Sequence, residues 1–351
     1  MKKIISLHGS YFGNNYGDVL LVNIFAKWIH ECCPDYIINL PLADKAKTKD
    51  LPDGVTGILN LLRSKYLVFC GGGYFGEQPR NKKAWARRNF FRHGIIGILA
   101  RFFRIPYAII GVEFGPISSR WFKRVCVGIA KHARVVVVRN AESKEFLEAN
   151  GVKGVFLSAD AVLCLSDSIS PAFANSDDIV IHIPGITNAP LRFFGLIQSL
   201  ITQVKEKCPY SRLLFINDSF ADIYHTDAYR QIFDFLDTHD VSYDILPYKG
   251  YKSLIEVINT HRYVLTTKLH VGITAAALNK RPLSFWQHPK TKRLHEQIGN
   301  TSYCYPINGT ESFNEIIKDY FSHKESFNLS SDIKALAYIN KDKLFAFLLD
   351  D

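Results

Sequence analysis

The chain has no run of apolar residues long enough to cross a bilayer. Its longest lipid-like stretch, Gly94 to Ala100, is far too short. It also lacks an ordered set of cysteines: the seven present are an odd number, with Cys32 and Cys33 adjacent and the rest scattered. That excludes a disulfide framework and suits a reducing compartment. No Cys or His spacing matches a zinc site, and there is neither an internal repeat nor a low-complexity tract. Met1-Lys2-Lys3 leads straight into a strand with no signal peptide, so the expected location is the cytoplasm. Acid is missing from one stretch in particular. Between Arg80 and Arg104 stand Arg80, Lys82, Lys83, Arg87, Arg88, Arg92, Arg101 and Arg104, eight cations with no Asp or Glu among them. The net charge of +10 is therefore a local feature, because the remainder is nearly neutral.

What is present is ordinary for a globular protein, with 47% apolar and 22% charged residues. At 351 residues, two domains are expected. Apolar runs of strand length alternate with helical periodicity through residues 1–168. A polar segment, Asp167 to Asp178, follows, and the alternation restarts over 177–330. This pattern predicts an α/β protein of two Rossmann-like domains facing across a cleft, with a last helix over 331–351 returning to the first domain. Residues 84–104 read as a helix with Trp85, Phe90, Phe91, Ile95, Ile96, Leu99, Phe102 and Phe103 interleaved with the cations. Such a helix fits an anionic membrane surface, or a partly buried helix with a solvated basic face. Nucleic acid is not expected, since no nucleic-acid-binding motif accompanies the charge.

Three places look able to hold a ligand. The first is the loop before the first helix, where Asn15 and Asp18 could touch a sugar or merely shape the turn. The second is Gly71-Gly72-Gly73 at the end of the strand beginning at Lys65, where missing side chains allow close backbone approach or a tight turn. The third is Arg262 to Gly299, read as a strand (Tyr263 to Leu265), a polar turn (Thr266, Thr267, Lys268) and a helix opening near His270. A helix start at a strand's carboxyl end favours anions. Lys268 adds a permanent cation there, and His270 a group able to move protons near neutrality. His288-Pro289-Lys290 repeats the arrangement one strand later. Two such turns point to an anionic substrate.

In order, Gly13-Asn14-Asn15-Tyr16-Gly17-Asp18, Gly71-Gly72-Gly73, Gly111 with Gly115-Pro116, Val138-Arg139-Asn140 with Ser143, Asp160, Thr267-Lys268-Leu269-His270, and Pro282 with Lys290 and Gly299 resemble the polysaccharide pyruvyl transferase family. The resemblance runs over about residues 4 to 300. It implies a glycosyltransferase-B-like fold, an acceptor side in residues 1–168 and a donor side in 177–330. The implied activity moves pyruvate from phosphoenolpyruvate onto a hydroxyl pair of a sugar in a bacterial surface polysaccharide or its lipid-linked precursor; the chemistry of that transfer calls for no metal and no other cofactor. The family's usual Arg-Leu-His is here Lys268-Leu269-His270. Lysine keeps the charge but loses the planar fork, so either the donor differs or another arginine, Arg139 or Arg281, is expected to make the forked contact.

Ketal formation from phosphoenolpyruvate needs a general acid, for which His270 is the candidate. It also needs at least two fixed cations for the carboxylate and phosphate, drawn from Lys268, Arg139, Arg281 and Lys290. Arg139 could instead pair with Glu142; His8, His182 and Asp160 are secondary candidates, His182 more as a structural group. Two other functions fit the same residues. One is a glycosyltransferase using a nucleotide sugar on this scaffold, and the other is a non-catalytic membrane or polyanion module built on residues 80–104.

Overall fold

A computed structural model describes residues 3–13, 15–49, 51, 54–77, 81–172, 176–183, 190–207, 210–221, 223–323 and 327–350. Asn14 and Arg80 lie outside the described residues. The chain divides into two compact units, Met1–Cys164 with Lys334–Asp351, and Leu165–Ile333.

The N-terminal unit carries β1 (Lys3–His8), β2 (Tyr36–Leu40), β3 (Val55–Thr56), β4 (Tyr66–Phe75), β5 (Tyr107–Phe114), β6 (Val135–Val138) and β7 (Val155–Leu157) in one sheet of order β3-β2-β1-β4-β5-β6-β7. Every pairing is parallel. Parallel strands covered on both faces read as near-continuous apolar runs, as Val135–Val138 does. Leu67, Phe69, Ile109, Phe122, Val136 and Val138 belong to one buried cluster. The strand order reverses between β1 and β4, the position at which open α/β sheets leave a crevice.

The C-terminal unit repeats the plan with β8 (Ser176–His182), β9 (Leu213–Ile216), β10 (Tyr243–Leu246), β11 (His261–Thr266), β12 (Pro282–Trp286) and β13 (Cys304–Pro306), in the order β10-β9-β8-β11-β12-β13. These pairings are parallel too. Its core gathers Ile179, Ile181, Phe215, Leu265, Leu283 and Phe285. Burying each such side chain is worth roughly 1.5–3 kcal/mol before chain entropy is counted. Here the order reverses between β8 and β11.

Two expectations are corrected. Gly71-Gly72-Gly73 is not a turn after a strand but part of β4, which runs on to Phe75. Gly71 and Gly72 have φ of +38° and +91°, and the pairing with β5 shifts between Gly72 and Phe75. A Cβ on Gly71 would stand 2.8 Å from Leu21 of the helix Tyr16–Cys32, so this glycine lets helix and strand close on each other. The basic helix over 84–104 is three pieces: α-helix Lys82–Asn89, a π-turn Phe90–Gly94 and α-helix Ile95–Phe102. Short elements at β3, β13, Ile58–Leu62 and Phe313–Ser322 were not foreseen.

The helix Ser331–Leu349 is fixed in the N-terminal unit by Asn340. Its Nδ2 donates to the Ala159 carbonyl at 2.9 Å, and its Oδ1 accepts from Ser158 at 3.1 Å. Gly111 (φ +70°) makes room, since a Cβ there would come 2.9 Å from Asn340 Oδ1.

Candidate active site

The carboxyl ends of β8 and β11 place His182 level with Thr266. Both side chains are fully buried, and His182 Nδ1 lies 3.0 Å from Thr266 Oγ1. The Lys268 N–H donates to the same hydroxyl at 3.0 Å, and the Thr267 N–H donates to the His182 carbonyl at 3.1 Å. Asp218, just past the carboxyl end of the neighbouring β9, closes the group. Its carboxylate lies 3.6 Å from His182 Nε2 and 3.5 Å from Lys268 Nζ. Burial alone would raise the Asp218 carboxyl, but His182 and Lys268 outweigh it and bring the pKa down to about 2. Burial lowers the His182 imidazole despite the opposing pull of Asp218, so it is neutral at pH 7. The result is a fixed anion orienting a half-exposed lysine at the switch point of the sheet.

Lys268 is the N-cap of the helix Leu269–Ala277. His270 stands in that helix's first turn, half-buried, and its carbonyl accepts from Thr274 Oγ1 at 2.8 Å. Lys290 stands at the matching place one strand over, in the first turn of the helix Pro289–Gln297 that follows β12. Its N–H donates to His288 Nδ1 at 3.4 Å, an Asx-like cap made by a histidine. Thr267, Lys268, His270 and Lys290 are thus brought to one edge of one sheet. Arg281 is not. It precedes β12 at the opposite end of the strand, with its guanidinium 5.1 Å from the Tyr303 ring and its carbonyl accepting from Tyr320 at 2.6 Å. The expectation that Arg281 supplies a fork beside Lys268 is corrected accordingly.

In the N-terminal unit, Asn15 caps the helix Tyr16–Cys32, its Oδ1 accepting from the Gly17 N–H at 3.0 Å. Asp18 follows in the first turn, and a Cβ on Gly72 would stand 3.8 Å from its Oδ1. Gly73 accepts through its carbonyl from Gly76 at 3.2 Å. Tyr74, next along β4, is buried, and its hydroxyl meets no hydrogen-bond partner among the described residues. His8 ends β1 in a closed chain: Nδ1 on Tyr11 at 2.9 Å, Nε2 on His93 at 2.9 Å, and His93 stacked on Tyr74 at 4.2 Å. Burial pushes His8 down to about 3 and His93 well below its ordinary value, so both are neutral packing groups.

Arg139 is buried between Glu113, at 2.6 Å, and Asp160, at 2.8 Å. Burial would lower its pKa, but the two carboxylates raise it above the ordinary arginine value. Asp160 also accepts from the Val162 N–H at 3.1 Å. The guanidinium fork expected to receive a ligand carboxylate therefore already holds two carboxylates of the protein. Asp218 and the Tyr74 hydroxyl were missed in the sequence, and Thr266, expected in the turn, is the last residue of β11. Asn217-Asp218 directly after an apolar run of strand length was the signal available for Asp218. Among the described residues, no group of three or more His, Cys, Asp or Glu is placed to hold a metal ion.

A family model described as polysaccharide pyruvyl transferase matches residues 15–289. Curated proteins give no match to the sequence. Among solved structures, the chain is similar to UDP-GlcNAc 2-epimerase from Methanocaldococcus jannaschii, with 12% identity, TM-score 0.63 and 100% of each chain covered. It is similar also to UDP-GlcNAc 2-epimerase from Neisseria meningitidis bound to UDP-GlcNAc (11% identity, TM-score 0.60, covering 99% of this chain and 100% of the other). The Anabaena protein HepE in complex with UDP and glucose is a third (14% identity, TM-score 0.52, 99% and 95% covered). At such identities the likeness is one of fold, and that fold is glycosyltransferase-B-like.

Proposed function

Because the chain belongs to the polysaccharide pyruvyl transferase family and is thereby a transferase of polysaccharide synthesis, we propose that it moves pyruvate from phosphoenolpyruvate onto two hydroxyls of one sugar. The acceptor on this reading is a bacterial surface polysaccharide, exopolysaccharide or capsule, or its lipid-linked precursor at the inner face of a membrane. The observation that carries the donor assignment is the Asp218-oriented Lys268 beside His270 at the switch point, with Lys290 at the end of the adjacent strand. A doubly anionic donor calls for two cations and a helix start, and this sheet edge offers both.

In the proposed reaction His270 protonates the methylene carbon of phosphoenolpyruvate, turning it into a methyl group. The phosphate-bearing carbon gains cationic character and is attacked by one sugar hydroxyl. A second hydroxyl then attacks the same carbon, the C–O bond to phosphate breaks, and inorganic phosphate leaves. Two C–O bonds form, and one hydroxyl proton replaces the proton His270 gave. The other departs with phosphate. Lys268 and Lys290 hold the carboxylate and phosphate while charge shifts onto the leaving group.

The test is phosphate release from phosphoenolpyruvate with a panel of sugar and lipid-linked acceptors, followed by mass analysis for a pyruvate adduct. Acceptor-dependent phosphate with a ketal product is the expected result. Release of a nucleoside diphosphate from a nucleotide sugar, with phosphoenolpyruvate inert and giving no thermal stabilisation, would instead make the protein a glycosyltransferase.

A further inference from the structure

Residues 81–134 of the N-terminal unit contain twelve Lys and Arg and a single acid, Glu113, so they carry a formal +11 against +10 for the whole chain. Glu113 is buried on Arg139. Nothing acidic in this segment therefore answers its surface cations.

Two helices of the segment lie side by side and run the same way. The Phe90 ring is 5.4 Å from that of Trp121, and a Cβ on Gly94 would meet Val125 at 3.5 Å. A Cβ on Gly97 would meet Ile129 at 2.6 Å, and Arg101 is 3.1 Å from His132 Nε2. The glycines let the pair close, and His93, Ile96 and Ala100 turn into the core. Ile98 and Phe102, at i and i+4 of the helix Ile95–Phe102, and Phe91 in the π-turn before it are left as apolar side chains outside, 41%, 78% and 60% exposed. Phe103 and Trp121 are exposed as well. Five of the eleven exposed large apolar side chains among the described residues thus fall in this segment. An ordinary amphipathic helix hides its apolar stripe; here further apolar side chains are displayed.

At the end of the helix Ile95–Phe102 an open groove of about 540 Å³ is lined by Arg101, Arg104, His132 and Arg134 above Ile105 and Tyr107. His132 Nδ1 lies 2.8 Å from the Gly128 carbonyl and so carries the proton. Its Nε2 then accepts from Arg101, which fixes that guanidinium at the groove.

We propose that this face docks on an anionic phospholipid surface, with lipid phosphates in the arginine groove and Phe91, Ile98 and Phe102 in the acyl boundary. Cations flanking displayed apolar side chains are what an interfacial helix requires. A nucleic acid would use the arginines and could stack on phenylalanine, but the aliphatic Ile98 between them offers no base-stacking surface. The surface rests on these residues alone, so it stands or falls independently of the transfer reaction.

The experiment is flotation of the full chain with phosphatidylcholine vesicles and with vesicles containing about 30% phosphatidylglycerol. Binding is expected to the second and not the first, weakening at least tenfold as salt rises from about 0.05 M to about 0.5 M. Phe91→Ser with Phe102→Ser should cut binding about tenfold at unchanged Tm, since both side chains are exposed. Arg101→Glu with Arg104→Glu should abolish it. No flotation with the anionic vesicles would overturn the proposal, and so would full binding by the serine variant, which would mean bare polyanion attraction. Displacement by a few millimolar inorganic phosphate would make the groove a free-phosphate site, and equal competition by single-stranded polynucleotide would make it a nucleic-acid surface. Either would also overturn it.

Discussion

The Lys268 ammonium lies 3.5 Å from the Asp218 carboxylate, whose other oxygen faces His182 Nε2 at 3.6 Å. The carboxylate is nearly buried while the lysine is half-exposed, so the anion is the fixed partner and the cation the one it aims. Asp218 has an ordinary pKa of 3.8 and a folded value of about 2. A depressed carboxylate stabilises the fold fully above its unfolded pKa and loses that contribution as pH falls through the folded one. The difference is worth about 2 kcal/mol at neutral pH. Asp218→Asn should therefore lower Tm at pH 7, and the gap from wild type should close as pH approaches about 2. Melts across that range check it; a gap constant with pH would show that the charge is not the cause.

The resemblance places an arginine where this chain has Lys268, and the two side chains differ in fork geometry rather than charge. If Lys268 meets the donor's phosphate or carboxylate, Lys268→Ala should raise KM for phosphoenolpyruvate by about 10- to 100-fold with less change in kcat. Lys268→Arg should restore most of it. His270→Gln should instead lower kcat by about 10²- to 10⁴-fold with KM nearly kept. Steady-state kinetics separate the two; a raised KM together with a lowered kcat, alike in both variants, would argue against distinct roles.

The two α/β halves, the Tyr263 to Leu265 strand and the helix opening at His270 were legible because periodicity and apolar runs are local signals. So was the cationic bias of residues 80–104. The Gly71–Gly73 segment was not, since a triple glycine reads locally as a turn and only the pairing with β5, through Gly72 and Phe75, carries the strand on. Arg281 looked close to Lys268 in sequence, yet twelve residues of helix and turn carry the chain back to the other end of the sheet. Asp218 was missed for the converse reason. It is fifty residues from Lys268 and becomes its neighbour only through the β9-β8-β11 order.

Acid should weaken the protein through its buried histidines. Burial holds His295 at about 4 and His8 at about 3, and lowers His93 and His182, against an ordinary 6.5. Below pH 6.5 the unfolded chain binds protons that the folded chain refuses, so stability falls with pH throughout that window. His295 alone, bonded to Ser284 and Asn300, accounts for roughly 3 kcal/mol between pH 6.5 and 4. Tm should drop steadily from pH 7 to 5. A flat profile there would mean that these imidazoles are hydrated in solution.

Arg139 offers the clearest division between a structural and a ligand-binding arginine. Removing it by Arg139→Ala leaves Glu113 and Asp160 buried without a counter-ion, which should cost about 3–5 kcal/mol. Most of that is the penalty of two stranded carboxylates rather than the worth of the ion pairs. Neutralising all three groups together, as Glu113→Gln, Arg139→Met and Asp160→Asn, should therefore recover much of the lost Tm, with the Asn side chain still able to accept from the Val162 N–H. A structural hub predicts this recovery along with an unchanged KM for phosphoenolpyruvate. If Arg139→Ala melts like the wild type but raises that KM, the guanidinium serves the donor, and its bonds to Glu113 and Asp160 are what hold it ready.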